Sequence, residues 1–101
     1  MIVYNMTIKV DPAIETAWLQ WLKQEHIPDS LSSGQFTHWK MFRLLDQDET
    51  DGPTFVLQYF ASSLENYYRF IEEYAPVLSK KAFDRWGDRF IAFRTVMQVV
   101  D

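Results

Sequence analysis

From Ile2 to Val10 the chain alternates: Ile2, Tyr4, Met6, Ile8 and Val10 fall on one face, and Val3, Asn5, Thr7 and Lys9 on the other. That two-residue period predicts a β-strand. Asp11-Pro12 then stops the strand and opens a helix. The aspartate can accept from first-turn amides, and a proline at the first helical position forfeits no hydrogen bond. Ile14, Ala17, Trp18, Trp21 and Glu25 follow at helical spacing, with Leu22 at the edge of the stripe. Ile27 precedes a proline, which disfavours helical geometry, so this helix is expected to end between Gln24 and His26. A loop is expected from Ser30 to Gly34. Phe36–Leu45 and Thr54–Ala61 then have strand character, and the acidic "DQDETDGP" between them suits a hairpin connection.

Ser62 with Glu65 has the form of a capping box ahead of an apolar stripe at Leu64, Tyr67, Tyr68, Ile71, Tyr74, Ala75, Leu78 and Ala82. Pro76 breaks that ladder near Tyr74–Ala75 and opens a second helical piece ending at Gly87. Arg89–Val100 forms the last strand. The order β-α-β-β-α-β across residues 1–101 predicts one α+β domain of ferredoxin-like topology. Such a domain is an antiparallel four-stranded sheet with two helices on one face.

Two helices cover only one face of such a sheet, so the other face of a lone copy should be polar. The strands do not follow that rule. Ile91, Phe93, Met97 and Val99 oppose Phe90, Ala92, Val96 and Val100 in the last strand. In the second, Trp39, Met41 and Leu45 oppose Phe36, Phe42 and Leu44, and in the third Phe55, Leu57 and Tyr59 oppose Val56 and Phe60. An apolar face of this extent exceeds what monomers ordinarily expose. It predicts a homodimer whose two sheets cover each other as a dimeric α+β barrel. The competing arrangement is a monomer with a partly exposed apolar sheet.

Composition narrows the function classes. The net charge of −4 argues against a non-specific nucleic-acid binder, which needs a basic face. The absence of cysteine excludes disulfide and thiolate chemistry and fits a reducing compartment. Strand alternation beginning at Ile2 is not a signal peptide, and no apolar run approaches the roughly 20 residues of a membrane helix. A cytoplasmic protein without membrane partners is expected.

The segments "MIVYN", "WLQWLKQEHIP", "SGQF", the "QY" of the third strand and "DRFIAFRT" resemble a small bacterial family of unknown function. The resemblance spans essentially the whole chain. It implies the ferredoxin-like, dimeric α+β barrel grouping, whose wider membership includes cofactor-independent monooxygenases, isomerases, dehalogenating enzymes and haem-handling proteins. In that grouping the ligand sits in a cleft between one subunit's sheet and helices. No activity comes with the family itself.

Candidate chemistry begins at "KQEHIPDS". A neutral His26 beside a carboxylate could take a proton from a small carbon acid. Glu25 and His26 lie about 100° apart on a helix, so they form no dyad by spacing alone. The simpler role for His26 is to cap the last carbonyls of the helix. Glu25 continues the apolar stripe, where a carboxylate needs a partner. Asn5, Lys9, His38, Lys40, Arg43, Gln58 and Arg94 interrupt otherwise apolar strands. Of these, Asn5, Arg43 and Arg94 are ligand-binding candidates, together with Tyr59 and Trp18. An inward arginine could pair with Glu25 or grip an anion; otherwise the arginines reach solvent. Trp18, Trp21, Tyr59, Tyr67, Tyr68, Tyr74 and Trp86 could line a pocket for a planar organic molecule, or simply form core.

Other motifs fail. "DQDETDG" misses calcium-loop spacing by one residue, and Leu57 stands where the loop's last glutamate would be. His26 and His38 lack a third zinc ligand nearby, and the second helix has no histidine for haem. No nucleophile elbow or glycine-rich phosphate loop is present. No metal or cofactor is therefore expected. Two functions from different classes stay open: conversion or binding of a small organic molecule near His26, or a non-catalytic dimerisation module with a filled core.

Overall fold

The computed structural model describes residues 1–101. Strand β1 runs Ile2–Val10, β2 His38–Arg43, β3 Thr54–Ala61 and β4 Phe90–Gln98; helices are α1 Glu15–Trp21, α2 Ile27–Ser32, α3 Leu64–Glu73 and α4 Ala75–Trp86. The sheet order is β2-β3-β1-β4, antiparallel throughout. This is the ferredoxin-like arrangement, with β1 and β3 central. No helix is long and apolar enough to cross a membrane.

Asp11 accepts from the Ala13 amide at 2.9 Å, and Pro12 opens a short 3-10 turn that leads into α1. The expected stop before Pro28 does not occur. Leu22–His26 winds as a π turn, with the Ile27 amide bonded to the Leu22 carbonyl five residues back. The wider turn accommodates the proline ring, which would crowd the carbonyl four residues before it in a regular helix. The helix therefore continues as α2 to Ser32, and Gly34, at φ 78°, takes the left-handed conformation beyond its end.

The π turn also changes which residues face inward. The buried series is Ile14, Trp18, Leu22, Ile27 and Ser30, with one five-residue step. Ala17 and Glu25 are exposed, so the expected stripe was displaced.

Strand β2 is shorter than expected. Phe36 precedes it and, instead of sharing the face of Phe42, turns into the core. There its ring stacks on Tyr59 at 4.9 Å and meets Phe70 at 4.6 Å. Helix α3 is capped by Ser63 rather than Ser62, its hydroxyl accepting from the Asn66 amide at 3.2 Å. Tyr74 separates α3 from α4 at φ −116°, and Gly87 follows α4 at φ 61°, as the positions of Pro76 and Gly87 require.

The helices cover the central strands on one sheet face, where Tyr4, Ile8, Val10, Phe55, Leu57 and Tyr59 are buried, while Ala92, Arg94 and Val96 of β4 stay exposed on that same face. On the outer face, Phe42, Ile91, Phe93 and Met97 are 48%, 57%, 69% and 41% exposed. The outer face is therefore mixed: large exposed apolar groups are interleaved with Asn5, Thr7, Lys9, His38, Lys40, Gln58 and Thr95.

Candidate functional site

Tyr4 of β1 and Tyr59 of β3 are paired directly across the two central strands, both on the helix side, with ring centroids 6.2 Å apart. Strand alternation fixes this placement, and the shared face makes the two hydroxyl-bearing rings neighbours. Above them the π turn and α2 supply His26 and Ser30, while α4 supplies Leu78 and Ser79. Together these side chains line a small, partly open chamber of about 40 Å³. A vestibule of about 260 Å³ lies outside it, lined by Trp21, Glu25, His26, Asp29, Leu78 and Lys81. His26 and Leu78 belong to both spaces and form the partition between them.

Burial depresses the His26 pKa below the ordinary 6.5, and the charge of Asp29 opposes this only in part. The imidazole is therefore neutral at pH 7 and can accept a proton. Its ring lies 4.9 Å from that of Trp21, which limits its movement. Tyr59 is fully buried, and its hydroxyl has no protein partner of hydrogen-bond geometry. The Ser30 hydroxyl lies near it and opposes part of its pKa rise; the Ser30 proton goes to the His26 carbonyl at 3.0 Å, which leaves the Ser30 oxygen as an acceptor beside Tyr59. Burial pushes the Tyr59 pKa far above the usual phenol value, so the group stays an O–H donor. Tyr4 is shifted upward by burial as well, opposed in part by Arg94 from β4. The chamber thus presents a neutral base and, in Tyr59, one buried hydroxyl without a partner of hydrogen-bond geometry, in a mostly apolar wall. Trp86 Nε1 is a second buried polar atom without a protein partner, and its ring packs edge-on against Trp21 at 5.9 Å.

The remaining sequence candidates divide. Arg94 lies on the helix side beside Tyr4, although its own side chain is exposed. Glu25 is not buried beside His26: it lines the outer vestibule, and Asp29 is the carboxylate whose charge His26 feels. Trp18 is core, 1% exposed and stacked on Phe55 at 5.7 Å. Arg43 lies away from the chamber, held by Glu49 at 2.6 and 3.2 Å and by Glu15 at 3.3 Å. Asn5 points to the outer face, where it bonds Gln58 and Thr95. His38 also lies on that outer face, stacked on Phe60 at 4.2 Å, so the two histidines occupy opposite sides of the sheet.

Tyr4, Ser30 and Ser79 escaped the sequence reading. The first was recoverable as an inward hydroxyl of the opening strand. Ser30 was not, because the expected loop placed it outside the helix, and Ser79 lay in an expected helix off its apolar stripe.

Three solved structures share the fold at low identity. A dimeric ferredoxin-like protein from an uncultured marine organism superposes with a TM-score of 0.77 at 10% identity, covering 99% of this chain and 95% of its own. SnoaB, a cofactor-independent oxygenase from Streptomyces nogalater, gives 0.73 at 10%, with 99% and 93% covered. An ethyl tert-butyl ether d (ethd) family protein from Bacillus halodurans gives 0.68 at 13%, with 99% and 100% covered. No curated protein matches the chain by sequence. Over residues 1–100 the sequence fits a single family model, and the chain belongs to that family, DUF4286, a domain of unknown function.

Proposed function

We propose that this protein is a homodimer that binds, and by proton transfer converts, a small planar organic molecule in the cleft between sheet and helices. The observation that carries this reading is the buried Tyr59 hydroxyl, free of protein partners, in the same chamber as a neutral His26. A carbonyl or phenolic oxygen would accept from Tyr59, and His26 would take a proton from an adjacent acidic C–H or O–H. The vestibule gives the molecule its route inward, and Trp21 supplies a flat wall. Several proteins of the same fold carry names consistent with chemistry on small organic molecules, the SnoaB oxygenase among them.

The homodimer rests on the outer face. Four strands about 4.8 Å apart, six to nine residues long at about 3.3 Å per residue, make a surface of roughly 19 Å by 20–30 Å. Allowing for side-chain relief, that approaches the about 800 Å² per partner of a standard interface. A second copy is the occupant that fits by size and shape, and the marine structural neighbour is itself named as dimeric.

One observation favours the other reading, a dimerisation module with a filled interior. The chamber, at about 40 Å³, is far below the roughly 300–1,000 Å³ of ordinary ligand pockets. The two buried polar atoms without protein partners weigh against it, because a filled interior pairs such groups internally. The test is an NMR titration with small phenols and cyclic ketones. Binding should move the His26 and Tyr59 ring resonances, and both H26Q and Y59F should weaken it about tenfold, the worth of one hydrogen bond. If no compound at millimolar concentration perturbs those rings, the filled-module reading takes its place.

A further inference from the structure

The outer face is not uniformly apolar. Lys40, Gln58, Asn5 and Thr95 are register partners across all four strands and form one continuous polar row. Gln58 Nε2 donates to Asn5 Oδ1 at 3.1 Å, and Asn5 Nδ2 donates to Thr95 Oγ1 at 3.3 Å. The rows on either side are mostly apolar: Phe60, Val3 and Met97 with His38 at the β2 edge on one, and Phe42, Val56 and Phe93 with Thr7 on the other.

We infer that the Asn5–Gln58 pair is the registration point of the sheet-to-sheet homodimer, each pair meeting its counterpart in the second copy. This rests on the proposed pairing of outer faces. The pair occupies β1 and β3, the two central strands, so it lies at the middle of the row. An isologous contact has a two-fold axis between the sheets, and an axis centred on the row brings this pair onto itself. Stacked sheets cross at an angle, either about 30° or near 90°. Rows that cross still meet at their centres, so the inference holds for both packings.

The bonds within the row leave capacity unspent: the Gln58 carbonyl oxygen and an amide hydrogen on each carboxamide. Buried against a second sheet, these groups need partners, and the other row supplies them; in the two flanking rows only His38 and Thr7 are polar. A slip of one row would set the carboxamides against Phe60 and Val3 on one side, or against Val56 and Thr7 on the other. Each group so stranded would weaken association by about tenfold or more. A central polar pair flanked on its own two strands by Phe60, Val3 and Val56 therefore trades some affinity for one alignment, as a lone buried asparagine does in coiled coils.

The experiment uses the full chain, its lack of cysteine allowing one nitroxide at E72C on the exposed surface of α3. Sedimentation should give a dimer, and pulsed electron spin resonance a single narrow distance between labels. In N5L/Q58L the dimer should persist with equal or tighter association, while the distance distribution splits or broadens. The near-isosteric N5D, which keeps the strand's shape, should weaken association at least a hundredfold at pH 7 by setting like charges across the axis. A parent protein that sediments as a 12.1 kDa monomer would overturn the homodimer itself. A dimer whose affinity is unmoved by N5D, or whose N5L/Q58L form keeps one narrow distance, would overturn the registration role and leave the dimer standing.

Discussion

Replacing Tyr59 by phenylalanine separates a prepared site from a packed core. The ring is fully buried, stacked on Phe36 at 4.9 Å and beside Tyr4 at 6.2 Å, and these contacts survive the substitution. Only the hydroxyl is lost. A buried donor without a partner costs about 1–3 kcal/mol, and deleting it relieves that penalty. The oxygen-sized void left behind costs a few tenths of a kcal/mol at about 24 cal/mol per Å³. Y59F is therefore expected to gain about 1 kcal/mol, raising the melting temperature by about 4–8 °C for a domain of this size. Water admitted to the chamber trims the gain toward zero without making it a loss. Urea unfolding at fixed protein concentration measures the change, with sedimentation checking that assembly is unaltered. A loss of more than about 1 kcal/mol would show that the hydroxyl serves an internal hydrogen bond, and the site reading would fail with it.

Two further expectations follow from the same geometry. Because burial holds the His26 pKa below 6.5, the unfolded chain binds more protons between the depressed value and 6.5. The stability linked to this group is full above pH 6.5 and is lost as pH falls through the folded value. Wild type should accordingly lose more stability than H26Q between pH 7 and pH 5; superimposable losses in urea titrations would contradict a desolvated imidazole. Arg43, clamped by Glu49 and Glu15, should behave as a surface fastening of the β2–β3 connection. R43M should lower the melting temperature slightly at low salt, with the difference closing in 1 M salt, and leave ligand titrations unchanged. A marked loss of binding would restore the arginine to the site.

The strand order and both helix breaks after Tyr74 were legible because they rest on local chemistry: a period of two, a proline without an amide hydrogen, a glycine free to adopt positive φ. The first helix was not. Pro28 signals a stop, and nothing in the residues before it announces the π turn that lets the chain continue. The cost of that misreading fell on the site. A helix ending at His26 leaves Ser30 in a loop and keeps Glu25 on the buried stripe. One five-residue turn instead exposes Glu25, brings His26 to the cleft wall and buries Ser30. Phe36 failed for a related reason, since alternation extrapolated beyond the true strand start assigns the wrong face.

The cleft and the outer polar row are built from adjacent residues. Tyr4 and Tyr59 face the helices, while Asn5 and Gln58, their immediate neighbours on the same two strands, face outward. A strand cannot shift one of these pairs without shifting the other, because consecutive side chains share a single pleat. Slippage of β1 against β3 by one residue would put carboxamides beneath the helices and tyrosines on the open face, losing both the chamber and the polar row. In the proposed homodimer, burying Asn5 and Gln58 against a second copy would penalise that slip from the outside, just as the stack of Tyr4, Tyr59 and Phe36 penalises it from within. Assembly on one face of the sheet would thereby help to hold the register on which the hydroxyls of the other face depend.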